Sequence, residues 1–211
     1  MERHIFFDFN GTIINDVDLC LDLLNQILTK QNKRNLSLEE YKNVFTFPIK
    51  DYYIAAGVDF NIESYESLAK WFISVYQPAS MKCGLYDGIV ETFKELKRNG
   101  HKLYILSASE KNNLLEQCRN YDIDQYFEDI LGIDNIHAAS KVSIAINYMK
   151  EHNIDGKDVL FVGDTLHDLE VAKAMNARCV LVSCGHQSKE VLSKGNVDII
   201  SSIKFLKWVK I

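Results

Sequence analysis

The run Leu160-Phe161-Val162 is apolar at every position. A strand with no polar face must be covered on both sides, the setting of a central strand in a parallel sheet sandwiched by helices. Similar runs occur at Ile5–Phe7, Leu103–Leu106 and Val180–Val182, with weaker ones at Phe127–Ile133 and Val197–Ile200. Helical patterns near 88–99, 110–120, 141–151, 165–175 and 202–210 separate them. This alternation predicts an α/β fold, a Rossmann-like parallel sheet with helices on both faces.

A second texture interrupts that pattern straight after the first strand. Val17, Leu19, Cys20, Leu23, Leu24, Ile27 and Leu28 recur at helical spacing, Ser37-Leu38-Glu39-Glu40 reads as a capping box, and 64–77 repeats the helical pattern. Pro48 and Pro78 are expected to stop helices there rather than interrupt them. The spacing predicts an all-α insertion over 15–81, with residues 1–14 and 82–211 forming the α/β core.

Composition excludes several partners. The net charge is −5 and no long Lys/Arg run exists, so duplex nucleic acid and anionic membranes are not expected partners. No stretch reaches the roughly 20 apolar residues of a membrane helix. The three apolar residues before Asp8 are too few for a signal peptide. Cys20, Cys83, Cys118, Cys179 and Cys184 are odd in number and show no zinc spacing, which suits reduced thiols in a cytoplasmic protein. No coiled-coil heptad appears, so a monomer is expected.

Ligands of open α/β sheets bind at the carboxyl ends of the strands. Here the first run ends in Asp8, the second in Ser107 and the fourth in Gly163-Asp164. Taken singly, an Asp or Ser after a strand is more often a helix cap or turn former, and it is the three together that point to a site. Converging carboxylates repel one another unless a cation lies between them. With hard oxygen donors and no His/Cys set, Mg²⁺ is the expected cation, shared with a phosphate. Lys141 follows a capping Ser140 and puts a positive charge where the helix dipole disfavours it, so it is expected to pair with that site.

Asp8-Phe9-Asn10-Gly11-Thr12, Ser107, Lys141 and Gly163-Asp164-Thr165-Leu166-His167-Asp168 resemble, in order and spacing, the four motifs of the haloacid dehalogenase-like hydrolases. The inserted helices, and the return at Leu85-Tyr86-Asp87-Gly88, resemble the phosphoglycolate phosphatase-like branch with its helical cap. The resemblance implies a Mg²⁺-dependent phosphohydrolase of small phosphorylated metabolites. Asp8 would be the nucleophile that forms an aspartyl-phosphate. Asp8, Asp164 and the backbone carbonyl of Asn10 would hold Mg²⁺. Asp168 would orient the bound waters or Lys141 from behind the metal. Gly11, Thr12, Ser107, Ala108 and Lys141 would cradle the phosphate, the Ser107 segment by opening a helix.

The family pattern has a second aspartate, the general acid and base, where this chain has Asn10. A carboxamide donates a hydrogen bond but does not exchange protons at neutral pH, and general acid–base catalysis contributes roughly 10²–10⁴ in rate. Esters whose leaving groups need no proton, such as acyl and aryl phosphates, would suffer least. Altered chemistry, a silent descendant and an introduced substitution remain open as explanations. The alternative function is a catalytically impaired module that binds a phosphorylated ligand or a protein. Carbon–halogen hydrolysis is disfavoured, because those relatives work without metal and would leave Asp164 and Asp168 unexplained. In the cap, the break at Phe45–Tyr52 offers Lys50 as a candidate contact to an anionic substrate group, and reads at least as well as a proline-stabilised turn with its aromatic residues packed within the cap. Tyr52, Tyr53, Trp71 and Tyr76 are expected to be cap core, and a histidine placed as His167 is more often a capping or surface residue than the substitute acid it could also supply.

Overall fold

The computed structural model describes residues 3–133 and 140–208. Strand β1 (His4–Phe7) leads into four helices: α1 (Val17–Lys30), α2 (Leu38–Val44), α3 (Ile49–Ala55) and α4 (Tyr65–Ser80). The core resumes with α5 (Ile89–Arg98), β2 (Lys102–Glu110), α6 (Lys111–Asn120), β3 (Asp129–Ile133) and α7 (Lys141–Glu151). It ends with β4 (Val159–Gly163), α8 (Leu166–Ala174), β5 (Arg178–Val182), α9 (Lys189–Ser193) and β6 (Asp198–Ile200). All six strands pair in parallel in the order β3-β2-β1-β4-β5-β6. Among the described residues no helix is long and apolar enough to cross a membrane.

Alternate residues of each strand enter different cores, as a two-period element must. Ile5, Phe7, Ile105 and Val162 pack with Phe93 of α5 and Leu114 of α6 on one face. Phe6, Leu106, Phe161 and Leu181 pack with Met149 of α7, Leu169 of α8 and Leu192 of α9 on the other. The doubly covered sheet is the one expected from apolar runs without a polar face. β1 and β4 lie side by side in register, Phe7 opposite Val162, so the residues that follow them emerge together.

The cap helices gather around their own apolar cluster, with Leu24, Leu28, Tyr41, Tyr52 and Leu68 among its members. The Ser37 capping box that opens α2 is present, with Glu40 returning to the Ser37 backbone. The cap is fastened to the core by polar bonds: Ser188 N donates to Lys42 O at 3.0 Å, Gln187 Nε2 to Phe45 O at 2.8 Å and Lys42 Nζ to Cys184 O at 3.0 Å.

Three expectations need correction. Pro78 lies inside the last turn of α4 rather than beyond it. There the missing N–H removes a single helical bond, and Ser74, whose carbonyl loses that donor, is exposed. β2 runs on past Ser107 to Glu110 with a register shift after Leu106, so Ser107 does not open a helix. Glu110 caps α6 instead, accepting from the backbone N–H groups of Asn112 and Asn113. The helical stretch expected near 202–210 is a 3-10 turn over Ile203–Trp208, its last two residues lying outside those described.

Candidate active site

Asp8 follows β1, and its backbone N–H donates to Val162 O of β4 at 2.8 Å. Its neighbour Phe9 is fully buried, and its own carboxyl group is held in the interior. Lys141, the first residue of α7, reaches across with Nζ 2.5 Å from Asp8 Oδ1 and 2.6 Å from Asp168 Oδ1. The side chain of Lys141 is buried over the Phe161 ring. These two carboxylates outweigh the unfavourable dipole of a helix N-terminus, which is worth only a few tenths of a kcal/mol to about 1.

Asp168 is saturated with donors. Its Oδ1 takes Lys141, and its Oδ2 takes the backbone N–H of Asp164 at 3.1 Å, that of Thr165 at 3.0 Å and the Thr165 hydroxyl at 2.8 Å. The Thr165 N–H bond is one half of the reciprocal capping box that starts α8, the other half being donated by Asp168 N to Thr165 Oγ1 at 3.3 Å. Lys141 and these donors hold its pKa below the ordinary value although burial works against them. Gly163 makes the arrangement possible, since a Cβ there would lie 2.4 Å from Asp168 Cβ.

Asp8 and Asp164 are placed differently. Burial pushes Asp8 up to about 6, with Lys141 opposing the rise. Burial pushes Asp164 up to about 8, with His186 opposing and Asp8 and Asp168 adding repulsion. Asp164 accepts from Thr12 Oγ1 at 3.2 Å and from the His186 backbone N–H at 2.6 Å, and no lysine or arginine among the described residues reaches it. One oxygen from each of Asp8, Asp164 and Asp168 falls within 4.8 Å of the others. Two buried carboxylates raised this far, so close together, form a donor set that suits a hard divalent cation.

Asn10 stands beside them in a second polar cluster. Its amide donates to Asp16 Oδ2 at 2.9 Å and to the Tyr76 hydroxyl at 2.5 Å, and its carbonyl oxygen accepts from Ser109 Oγ at 3.1 Å. Asp16 also accepts from Gly11 N and Tyr76 Oη, and lies 3.3 Å from His186 Nε2. His186 Nδ1 is 2.7 Å from Tyr41 Oη, and its ring stacks on Phe45. Burial raises Asp16, but His186, Tyr76 and Asn10 bring it below the usual carboxylate value. Desolvation works against the charged imidazole of His186, yet Asp16 and Asp164 lift it above 6.5. Gly11 sits at φ 69, and a Cβ there would collide with Asp164 and His186, so this turn requires glycine twice over.

Asp8, Asn10, Ser107, Ala108, Lys141, Asp164 and Asp168 all line one cavity of about 400 Å³ between core and cap. Gly11 and Thr12 lie behind the carboxylates, Thr12 holding Asp164 through its hydroxyl. Lys50 is elsewhere. On α3 the residues Ile49, Tyr52 and Tyr53 face the cavity, and Lys50, a third of a turn round, lies with its ammonium over the Phe60 ring. Tyr76, read from sequence as cap core, brings its hydroxyl to Asp16. His167 lines the cavity and stacks on Phe47.

Sequence reasoning missed Asp16 and His186. Asp16 has the position of an ordinary N-cap before α1, yet its side chain makes no capping bond. His186 follows β5, so the rule that strand ends carry chemistry would have found it had it been applied to the run after Gly163-Asp164.

Residues 5–182 match the sequence model of the haloacid dehalogenase-like hydrolases, and the chain belongs to that family. Among curated relatives, phosphoglycolate phosphatase 1 of Pseudomonas aeruginosa is 23% identical over 88% of this chain and 71% of its own. A phosphoglycolate phosphatase of Vibrio vulnificus is 23% identical over 93% of this chain and 90% of its own. The fold is similar to that of a haloacid dehalogenase-like family protein from Streptococcus pneumoniae, with a TM-score of 0.82 at 17% identity over 99% of both chains. It is also similar to the crystal structure of a predicted phosphatase from Clostridium acetobutylicum, with a TM-score of 0.81 at 20% identity over 98% of this chain and 96% of that one.

Proposed function

We propose that this chain is a Mg²⁺-dependent phosphohydrolase acting on a small phosphorylated metabolite through an aspartyl-phosphate on Asp8. The observation that carries the reading is the convergence of Asp8, Asp164, Asp168 and Lys141 at one end of a cavity enclosed by a helical cap. The names of the relatives, phosphoglycolate phosphatases, point to phosphate-ester hydrolysis as the reaction. Residues 15–81 serve as the cap domain, and 1–14 with 82–211 as the catalytic core.

Asp8, Asp164 and the Asn10 carbonyl are the groups to hold Mg²⁺, which when bound neutralises charge on the phosphate oxygens. Asp168 is occupied by Lys141 and its cap, so its part is to fix Lys141 and the loop that carries Asp164. Asp8 attacks phosphorus in line and the ester oxygen leaves with its electron pair. Lys141, held by Asp8 and Asp168, keeps Asp8 ionised for that attack. Ser107, Ser109 and the neighbouring backbone face the transferred group from β2. Water then releases phosphate from Asp8.

A second reading, a module that binds a phosphorylated ligand or a protein without turning it over, draws on Asn10. Its amide is engaged with Asp16, Tyr76 and Ser109 and has no proton to exchange. Phosphate release with Mg²⁺, lost with a chelator and lost in Asp8→Asn, is the result expected of the hydrolase. Ligand binding with no release from any ester would favour the module.

A further inference from the structure

The proposed chemistry leaves the organic part of the substrate unnamed, and the cap end of the cavity describes it. That end is lined by Phe45, Phe47, Ile49, Tyr53, Phe72 and Ile73. Among the described lining residues Lys141 is the only lysine or arginine, and both neighbouring carboxylates hold it. His186 is tied to Asp16 and Tyr41, while His167 lies against Phe47 and Glu170. A carboxylate in the leaving alcohol, such as that of phosphoglycolate, would be desolvated among aromatic rings without a cation to meet it. An aromatic ring would bury apolar surface against the same side chains and stack or meet them edge-on.

Asn10 points the same way from the reacting end. With an amide where the family resemblance puts an acid, Asn10 supplies no proton to the departing oxygen as the P–O bond breaks. A phenolic oxygen tolerates this because the ring delocalises the charge it takes away, whereas an alkoxide does not.

We infer that the substrate is an aryl phosphate, a phosphate monoester of an uncharged phenol whose ring occupies the aromatic end of the cavity. This rests on the phosphohydrolase reading. Asp8 forms the new O–P bond and the aryl P–O bond breaks, its electron pair leaving as phenolate, which takes a proton from solvent. Water adds to phosphorus, the Asp8–phosphate bond breaks, and the water's proton passes to solvent with the phosphate. The cavity volume of about 400 Å³ accommodates a ring of this size beside the phosphate.

The test is steady-state release of phosphate with Mg²⁺ from phenyl, benzyl and glycolate monophosphates, with acetyl phosphate as a fourth arm. Benzyl and glycolate esters leave as alkoxides, so their ratio isolates the cavity; phenyl and benzyl share the ring, so theirs isolates the leaving group. The expected kcat/KM for benzyl phosphate exceeds that for phosphoglycolate by about 10-fold or more, and that for phenyl exceeds benzyl by roughly 100-fold. Ile73→Lys, at a half-exposed position of the cavity wall, is expected to reduce the benzyl-to-glycolate ratio at least about 10-fold while circular dichroism and the melting midpoint stay unchanged. Phosphoglycolate turned over as well as benzyl phosphate, or an unmoved ratio in a folded Ile73→Lys, overturns the aromatic assignment. Equal turnover of phenyl and benzyl esters overturns the leaving-group argument and with it the aryl ester. Release from none of the four, acetyl phosphate included, overturns the phosphohydrolase reading beneath both.

Discussion

Asp168 and Asp164 lie four residues apart, both buried, yet their environments drive their pKa values in opposite directions. Asp168 receives a lysine and three other donors and stays ionised below the ordinary value. Asp164 receives one hydroxyl and one backbone N–H, faces two other carboxylates, and is pushed up to about 8. Burial is common to both, so the donors decide. Asp168 is completed by the protein, whereas Asp164 is left incomplete, with the free ligand capacity that the proposed Mg²⁺ would use. Across the cavity, Asp16 is completed like Asp168, by His186, Tyr76 and Asn10.

Breaking the incomplete side should cost most in rate. Asp8→Asn removes the proposed nucleophile, with an expected loss on the order of 10⁴-fold or more in kcat for phosphate release. Breaking the completed side should cost most in stability. Lys141→Ala leaves Asp8 and Asp168 as unpaired buried carboxylates, and an expected loss of about 3–5 kcal/mol reads out in the urea midpoint.

Asn10→Asp sharpens the contrast, because the new carboxyl group would lie against Asp16, whose Oδ2 is 2.9 Å from the Asn10 amide nitrogen. Two carboxylates at that distance share a proton. The expected result is a gain of roughly 100-fold on alkyl phosphates near pH 6 that shrinks as pH rises and the shared proton leaves. A gain independent of pH would mean that Asp16 does not sense the substitution. The smallest effect concerns the Asp16–His186 pair. His186 is raised above 6.5, so the stability it contributes is present below that value and lost as pH rises through its folded-state pKa. The coupling in an Asp16→Asn, His186→Gln double-mutant cycle, about 1–3 kcal/mol, should therefore be larger at pH 6 than at pH 9.

Much of this contrast is legible in the sequence and part of it is not. Leu160-Phe161-Val162 announces a doubly covered strand because apolar residues on both faces have one physical solution, and the rule that strand ends carry ligands brought Asp8 and Asp164 to one sheet edge, while only the fold shows β1 and β4 to be neighbours. Lys141 stood out because its charge opposes a helix dipole. What stayed hidden depends on direction rather than identity. Asp16 has the position of a cap, and only the fold turns its oxygens toward Asn10. Lys50 has the charge to meet an anion, and one residue's rotation about α3 carries it to Phe60. α9 is five residues long, too short to display a period.

The raised pair also sets a pH signature. Asp8 and Asp164 bind protons more tightly folded than unfolded, so the cation-free protein should lose stability as pH rises from about 4 through about 8. With burial pushing Asp164 up to about 8, a cation that binds it is expected to displace a proton at neutral pH. Calorimetric titration of Mg²⁺ at pH 7, repeated in buffers of different ionisation enthalpy, measures that proton directly. The account predicts release of about one proton per ion, falling toward zero at pH 9 and abolished with binding itself in Asp164→Asn. Binding without proton release at pH 7, or binding undiminished in Asp164→Asn, would contradict it.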